Sequence, residues 1–207
     1  MKQIPLNLNG VHGNIYAGFG PRIAAILLDG LILSPVTLVV MFMKTMGLDL
    51  YLLAAFINLI AVLIYNIYLP KRFGATPGKM ILEIKIIRLD GQPILWKESY
   101  LRYLVMFLFS LLTEAITINA IRLMDWDEYE GLGFLDKNEY LTSMSPGLFQ
   151  LSSWLIALWV IAGLIVLLSN PRKRATHDFI AGTVVVHNRY LERIRDEMNG
   201  QPTENEV

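Results

Sequence analysis

The chain has 207 residues, of which 54% are hydrophobic and only 17% charged. Soluble domains carry about 25% charged residues, so the deficit points to lipid as the solvent. Lysine plus arginine and aspartate plus glutamate balance at 18 each, which leaves no basic field to suggest nucleic acid. Cysteine is absent and the three histidines (His12, His177, His187) are scattered, so thiol chemistry is excluded and no metal site or cofactor is indicated.

Four apolar runs approach the ~20 residues that carry a helix across ~30 Å of hydrocarbon. They cover residues 23–43, 50–69, 103–121 and 148–168. Pro21 introduces the first, as suits an opening helical turn, and no small-residue cleavage site follows it, so it reads as an uncleaved span. Pro70 is expected to stop the second and Pro171 the fourth. Lysine and arginine gather between the second and third runs and again after the fourth, whereas the connection after the third is acidic. The positive-inside rule then puts both termini and the middle loop in the cytoplasm. In that loop, residues 80–89 alternate around isoleucines and end at Asp90-Gly91, the signature of a short β-hairpin. The expected fold is therefore an all-α membrane protein of four transmembrane helices with a small cytoplasmic β-hairpin between the second and third. Residues 1–21 form a cytoplasmic segment, 22–186 the membrane domain and 187–207 a tail expected to end in disorder.

Polar residues inside the runs carry the functional question. Asp29 lies seven residues after Arg22, about two turns or ~10.5 Å deeper along the same side of the first helix. A carboxylate there costs at least ~2.5 kcal/mol on insertion scales and needs compensation. Counting from the inner boundary, Asn66 falls in a layer near Asp29, while Asn58 and Glu114 fall ~18 Å deep in a second layer. Carboxylates and amides at graded depth suit a proton or cation route; equally, such groups join helices by hydrogen bonds. Ser34-Pro35 is expected to kink the first span and free the carbonyl of Leu31 near the aspartate. The segment Gly74–Lys79 is not a phosphate loop, because only three residues separate its glycines and methionine follows the lysine. The run from Asp125 to Gly131 imitates a calcium loop superficially; its glycine is one place late and the closing glutamate is missing.

Three stretches together resemble the RDD family of bacterial membrane proteins, named for an arginine and two aspartates. They are Gly18-Phe-Gly-Pro-Arg-Ile-Ala-Ala25 followed by Asp29, Gly74-Ala-Thr-Pro-Gly-Lys79 followed by Arg88-Leu-Asp-Gly91, and Arg174-Ala-Thr-His-Asp178 followed by Ala181–Val186. Gly20-Pro21 stands where the family often has an aromatic and a basic residue. The resemblance maps the charged trio to Arg22, Asp29 and Asp178, and implies a multi-pass protein of the bacterial cytoplasmic membrane for which transport has been suggested without a common reaction. Asp178 is expected to meet Arg22 or Lys79 at the inner interface. Lys79, Arg172, Lys173 and Arg174 are expected to meet lipid phosphate.

Two functional readings remain open from the sequence. In the first, the chain moves a small solute, cation or proton through a site around Asp29, with Glu114, Asn58 and Asn66 along the route, and a homo-oligomer encloses the path. In the second it is a non-transporting subunit or scaffold whose charged trio is structural or docks a protein partner. No nucleophile–base pair is present to support an enzyme, so no catalytic residue is assigned.

Overall fold

A computed structural model describes residues 3–8 and 13–199. The helices and strands, in chain order, are α1 Phe19–Met43, α2 Leu48–Leu63, a π-helical turn Ile64–Tyr68, α3 Leu69–Phe73, α4 Pro77–Ile81 and β1 Ile84–Arg88. There follow α5 Trp96–Leu123, α6 Trp126–Glu130, α7 Phe134–Ser143, α8 Pro146–Ser169, α9 Thr176–Ala181, β2 Thr183–His187 and α10 Leu191–Asn199. Among the described residues, four stretches are long and apolar enough to span a bilayer: Phe19–Met43, Leu48–Ile81, Trp96–Leu123 and Pro146–Ser169. Leu27 and Leu31 on α1 are 65% and 70% exposed, a surface that water would penalise and lipid does not.

Two prolines act differently from expectation. The carbonyl of Leu31 freed by Pro35 is taken by the Ser34 hydroxyl at 2.9 Å, and α1 runs on to Met43. Pro70 does not end the second span. The chain widens into the π turn just before it, where Leu69 N–H donates to Ile64 O, and Pro70 then sits in the first turn of α3. The stop falls at Gly74, whose left-handed backbone (φ 75°) caps α3.

The contacts divide the chain into two units. The first comprises the described residues of Met1–Ser34, Val62–Tyr103 and Ala162–Val207. Its centre is an antiparallel ribbon of β1 and β2, in register at Ile86↔Val185. The strand expected in the middle loop thus forms, and its Asp90-Gly91 turn returns a bridge between Ile87 and Pro93. The full partner strand, however, arrives from beyond the fourth span. The ribbon is buried on both faces, which is why β2 reads Thr-Val-Val-Val without alternation. Ile87, Val184 and Val186 pack with Ile4, Leu8, Ile15, Tyr16, Leu191 and Ile194 on one side. Ile84, Ile86 and Val185 pack with Ala17, Ala25 and Ile94 on the other. Helix α10 closes the first cluster through Leu191 and Ile194; the disorder expected at the end of the tail lies outside the described residues.

The second unit comprises Pro35–Ala61 and Leu104–Ile161. Its buried cluster joins Tyr51, Ile121, Met124 and Tyr129. In the acidic connection, the Asp125 carboxylate accepts the N–H groups of Asp127 (2.9 Å) and Glu128 (3.4 Å) and so starts α6. The residue that opened the calcium-like pattern is spent as a helix cap.

Candidate functional site

In the first unit, Asp178 occupies the third position of α9, from which its carboxylate reaches back to the Ala175 N–H at 2.9 Å. The same carboxylate holds two guanidiniums. Arg22 on α1 donates Nη1 to Oδ2 at 2.7 Å, and Arg102 on α5 donates Nη1 to Oδ1. Asp178 has no exposed side-chain surface, and the two arginines keep 10% and 9% of theirs. Arg22 also donates Nε to Ala17 O (3.0 Å) and Nη2 to Lys173 O (2.6 Å). Lys173 turns that carbonyl inward by adopting a left-handed backbone, φ 49°. Arg174 donates to the carbonyls of Thr183 and Asp178 and lies 3.9 Å over the Phe179 ring. One carboxylate thus ties the starts of the first and third spans to the segment after the fourth.

Burial would raise the Asp178 pKa, but the guanidiniums of Arg102 and Arg22 overcome it and hold the carboxyl well below the usual carboxylate range. Beside it, burial and the cations Arg102, Arg22 and Lys79 outweigh Asp178 and push His177 down to about 4. Between that value and the ordinary ~6.5 of histidine the unfolded chain binds a proton that the folded chain refuses. Stability is therefore expected to fall as pH drops from about 6.5 to 4, and to fall further below ~3.9, where Asp178 takes a proton in the unfolded chain that the folded carboxylate refuses. The His177 ring keeps 34% of its surface, so its share is the smaller one. Thermal unfolding recorded between pH 7.5 and 4.5 checks this, and His177→Gln should flatten the upper part of the decline. An unchanged slope in that variant excludes the histidine as its source.

Asp29 belongs to a second group in the same unit. Its Oδ1 accepts from Tyr65 Oη (2.5 Å) and Gly78 N–H (2.6 Å), and its Oδ2 accepts from Thr76 Oγ1 (2.6 Å). Lys79 Nζ stands 4.0 Å from Oδ2 and 3.1 Å from the Thr76 hydroxyl. The carboxylate meets the opening turn of α4, where negative charge and free N–H groups complement one another. Gly78 permits this approach: a Cβ there would lie 2.3 Å from the Ala25 carbonyl of α1. Asn66 makes no hydrogen bond to Asp29 among the described residues. The π turn carries Tyr65 to the carboxylate, and the Asn66 amide donates to Val62 O of its own helix at 3.1 Å.

In the second unit, Glu114 accepts from Lys44 Nζ at 2.6 Å and Tyr51 Oη at 2.5 Å. Asn58 is half-buried and adds no hydrogen bond to that pair. Of the cations assigned to lipid phosphate, Arg174 and Lys79 are turned inward, the first 8% exposed and the second directed at Thr76. Arg172 donates to Ile4 O at 3.2 Å and Lys173 to Leu168 O at 3.3 Å. Among the described residues no group of histidine, aspartate or glutamate is placed to hold a metal.

The sequence offered Arg22 or Lys79 as the partner of Asp178, and the structure pairs it with Arg22 while Lys79 stands by Asp29; Arg102, Tyr65 and the contacts of Thr76 and Gly78 were not anticipated. Arg102 carried a legible signal, because it opens its apolar run just as Arg22 opens the first. A tyrosine, a threonine and a backbone N–H carry none. Chemically, the arrangement neutralises two carboxylates with internal donors and locks elements together. What these features define is a multi-pass membrane protein whose first unit is fastened by a buried Arg–Asp–Arg clasp.

The pattern that defines the RDD family matches residues 16–182, and the chain belongs to that bacterial membrane-protein family. It is similar to the uncharacterized protein YckC of Bacillus subtilis (strain 168), with 31% identity over 177 residues, covering 84% of this chain and 87% of that protein. No solved structure matches.

Proposed function

We propose that the chain is a non-transporting, non-catalytic subunit or scaffold of the bacterial cytoplasmic membrane, in which the arginine–aspartate trio is structural. The observation that carries this reading is the saturation of both trio carboxylates. Asp178 is occupied by Arg22, Arg102 and Ala175, and Asp29 by Tyr65, Thr76 and Gly78 with Lys79 adjacent. A transported cation would have to displace three short hydrogen bonds and an ammonium from Asp29 in turn. The loss of the free Leu31 carbonyl removes a further ligand from that route. The distribution of lysine and arginine supports a cytoplasmic position for both termini and the ribbon, where a protein partner or a second copy has access to them.

Reconstitution into sealed vesicles tests the reading. Proton, sodium and potassium flux is expected to stay at the level of protein-free vesicles. Asp29→Asn is expected to lower stability by about 1–3 kcal/mol through weakened acceptance from Tyr65, Thr76 and Gly78. Flux through the wild-type protein that Asp29→Asn abolishes, with the variant still folded, would overturn the proposal.

A further inference from the structure

The second unit contains a recess that neither charged group touches. A cavity of about 410 Å3 opens between the end of α1, the turn that follows it and the acidic connection. Small-molecule sites commonly measure about 300–1,000 Å3 and combine apolar walls with a few convergent polar groups. The walls here are aromatic. Phe42 and Phe134 stand 6.5 Å apart between ring centroids, and Trp126 meets Tyr129 edge-on at 5.7 Å. Phe134, on the connection after the third span, is 42% exposed, so the mouth of the recess keeps apolar surface uncovered.

Lys137 is the cation among the described residues of this lining. Its Nζ donates to Thr45 O at 3.2 Å and lies 4.9 Å from the Tyr129 ring centroid. No carboxylate of the described residues comes within 4.0 Å of it. An ammonium carries three donors, and one carbonyl leaves the charge unbalanced. Lys44 of the same unit makes the contrast: it also faces an aromatic ring, that of Tyr51, but Glu114 neutralises it at 2.6 Å. A cationic ligand is disfavoured in the recess because Lys137 already takes the Tyr129 face. Glu130 also lines the cavity and repels any second negative charge.

We propose that this recess binds a small aromatic or branched-alkyl monocarboxylate, its head on Lys137 Nζ and its body against Trp126 and Phe134. The full chain in nanodiscs of neutral lipid, titrated with 3-phenylpropionate, 3-phenylpropylamine and 3-phenylpropanamide, tests it by ligand-observed magnetic resonance. The carboxylate is expected to saturate with a Kd below about 1 mM, and to bind about tenfold tighter than the amine or the amide. Lys137→Gln should reduce the carboxylate to the affinity of the amide, and Lys137→Arg should retain the preference. Absence of saturable binding, equal affinity for the amine, or a folded Lys137→Gln variant with unchanged carboxylate affinity would each overturn the proposal. If Lys137→Gln does not fold, Glu130→Gln decides. Removing that repulsion should tighten the carboxylate about threefold and leave the amide unchanged, whereas an equal response from both ligands overturns the site.

Discussion

Asp178→Asn is expected to cost the folded protein about 3–5 kcal/mol, the largest effect of any single substitution in the clasp. The asparagine preserves shape but leaves Arg22 and Arg102 facing each other, both nearly enclosed, with no counter-charge. Arg22→Gln and Arg102→Gln are expected to cost less, about 1.5–3 kcal/mol each, because the carboxylate keeps its other guanidinium. Thermal unfolding of the three variants in nanodiscs ranks them. If Asp178→Asn is no worse than Arg22→Gln, one carboxylate is not serving two arginines. Exchanging Arg22→Asp with Asp178→Arg keeps one carboxylate among two guanidiniums, so it is expected to be more stable than Asp178→Arg alone, which sets three guanidiniums together.

Gly78→Ala is expected to destabilise by about 3 kcal/mol or more. Its Cβ would fall 2.3 Å from the Ala25 carbonyl and 2.7 Å from Asp29 Oδ1, and the first of these is backbone that no rotamer change moves aside. Helix α4 must therefore retreat from α1, and the hydrogen bond from Gly78 N–H to Asp29 is lost with it. Gly163→Ala provides the comparison. The nearest atom there is the Thr176 hydroxyl at 3.3 Å, which can rotate away, so a change under about 1 kcal/mol is expected. Similar losses for both variants would show that close approach of α4 to α1 is not what Gly78 provides.

Much of the candidate site was legible because buried charge has few solutions. An arginine opening one span and an aspartate just after another must be compensated, and pairing them is the economical way. Asp29 was legible as an anomaly but not as a latch. Its partners come from the π turn and from Thr76 and Gly78, and a π turn has no composition that marks it. Counting residues along an ideal helix brought Asn66 toward Asp29; the widened turn brought Tyr65 instead. The proline that was expected to free a carbonyl came with its remedy, since Ser34 immediately before it supplies the missing donor.

From the sequence alone came four spans, a β-strand in the middle loop and a charged trio that must be compensated. Those follow from properties summed over neighbours along the chain: apolar length, alternation, and the cost of charge in hydrocarbon. Only the tertiary structure decided that β2 arrives from beyond the fourth span to complete the ribbon, that Arg102 shares Asp178 with Arg22, and that Asp29 fastens α4 to α1. The physical reason lies in the short range of a hydrogen bond. Many hydroxyls, amides and N–H groups along the chain are chemically equal candidates, and the fold alone brings a few of them within 3 Å of a given carboxylate.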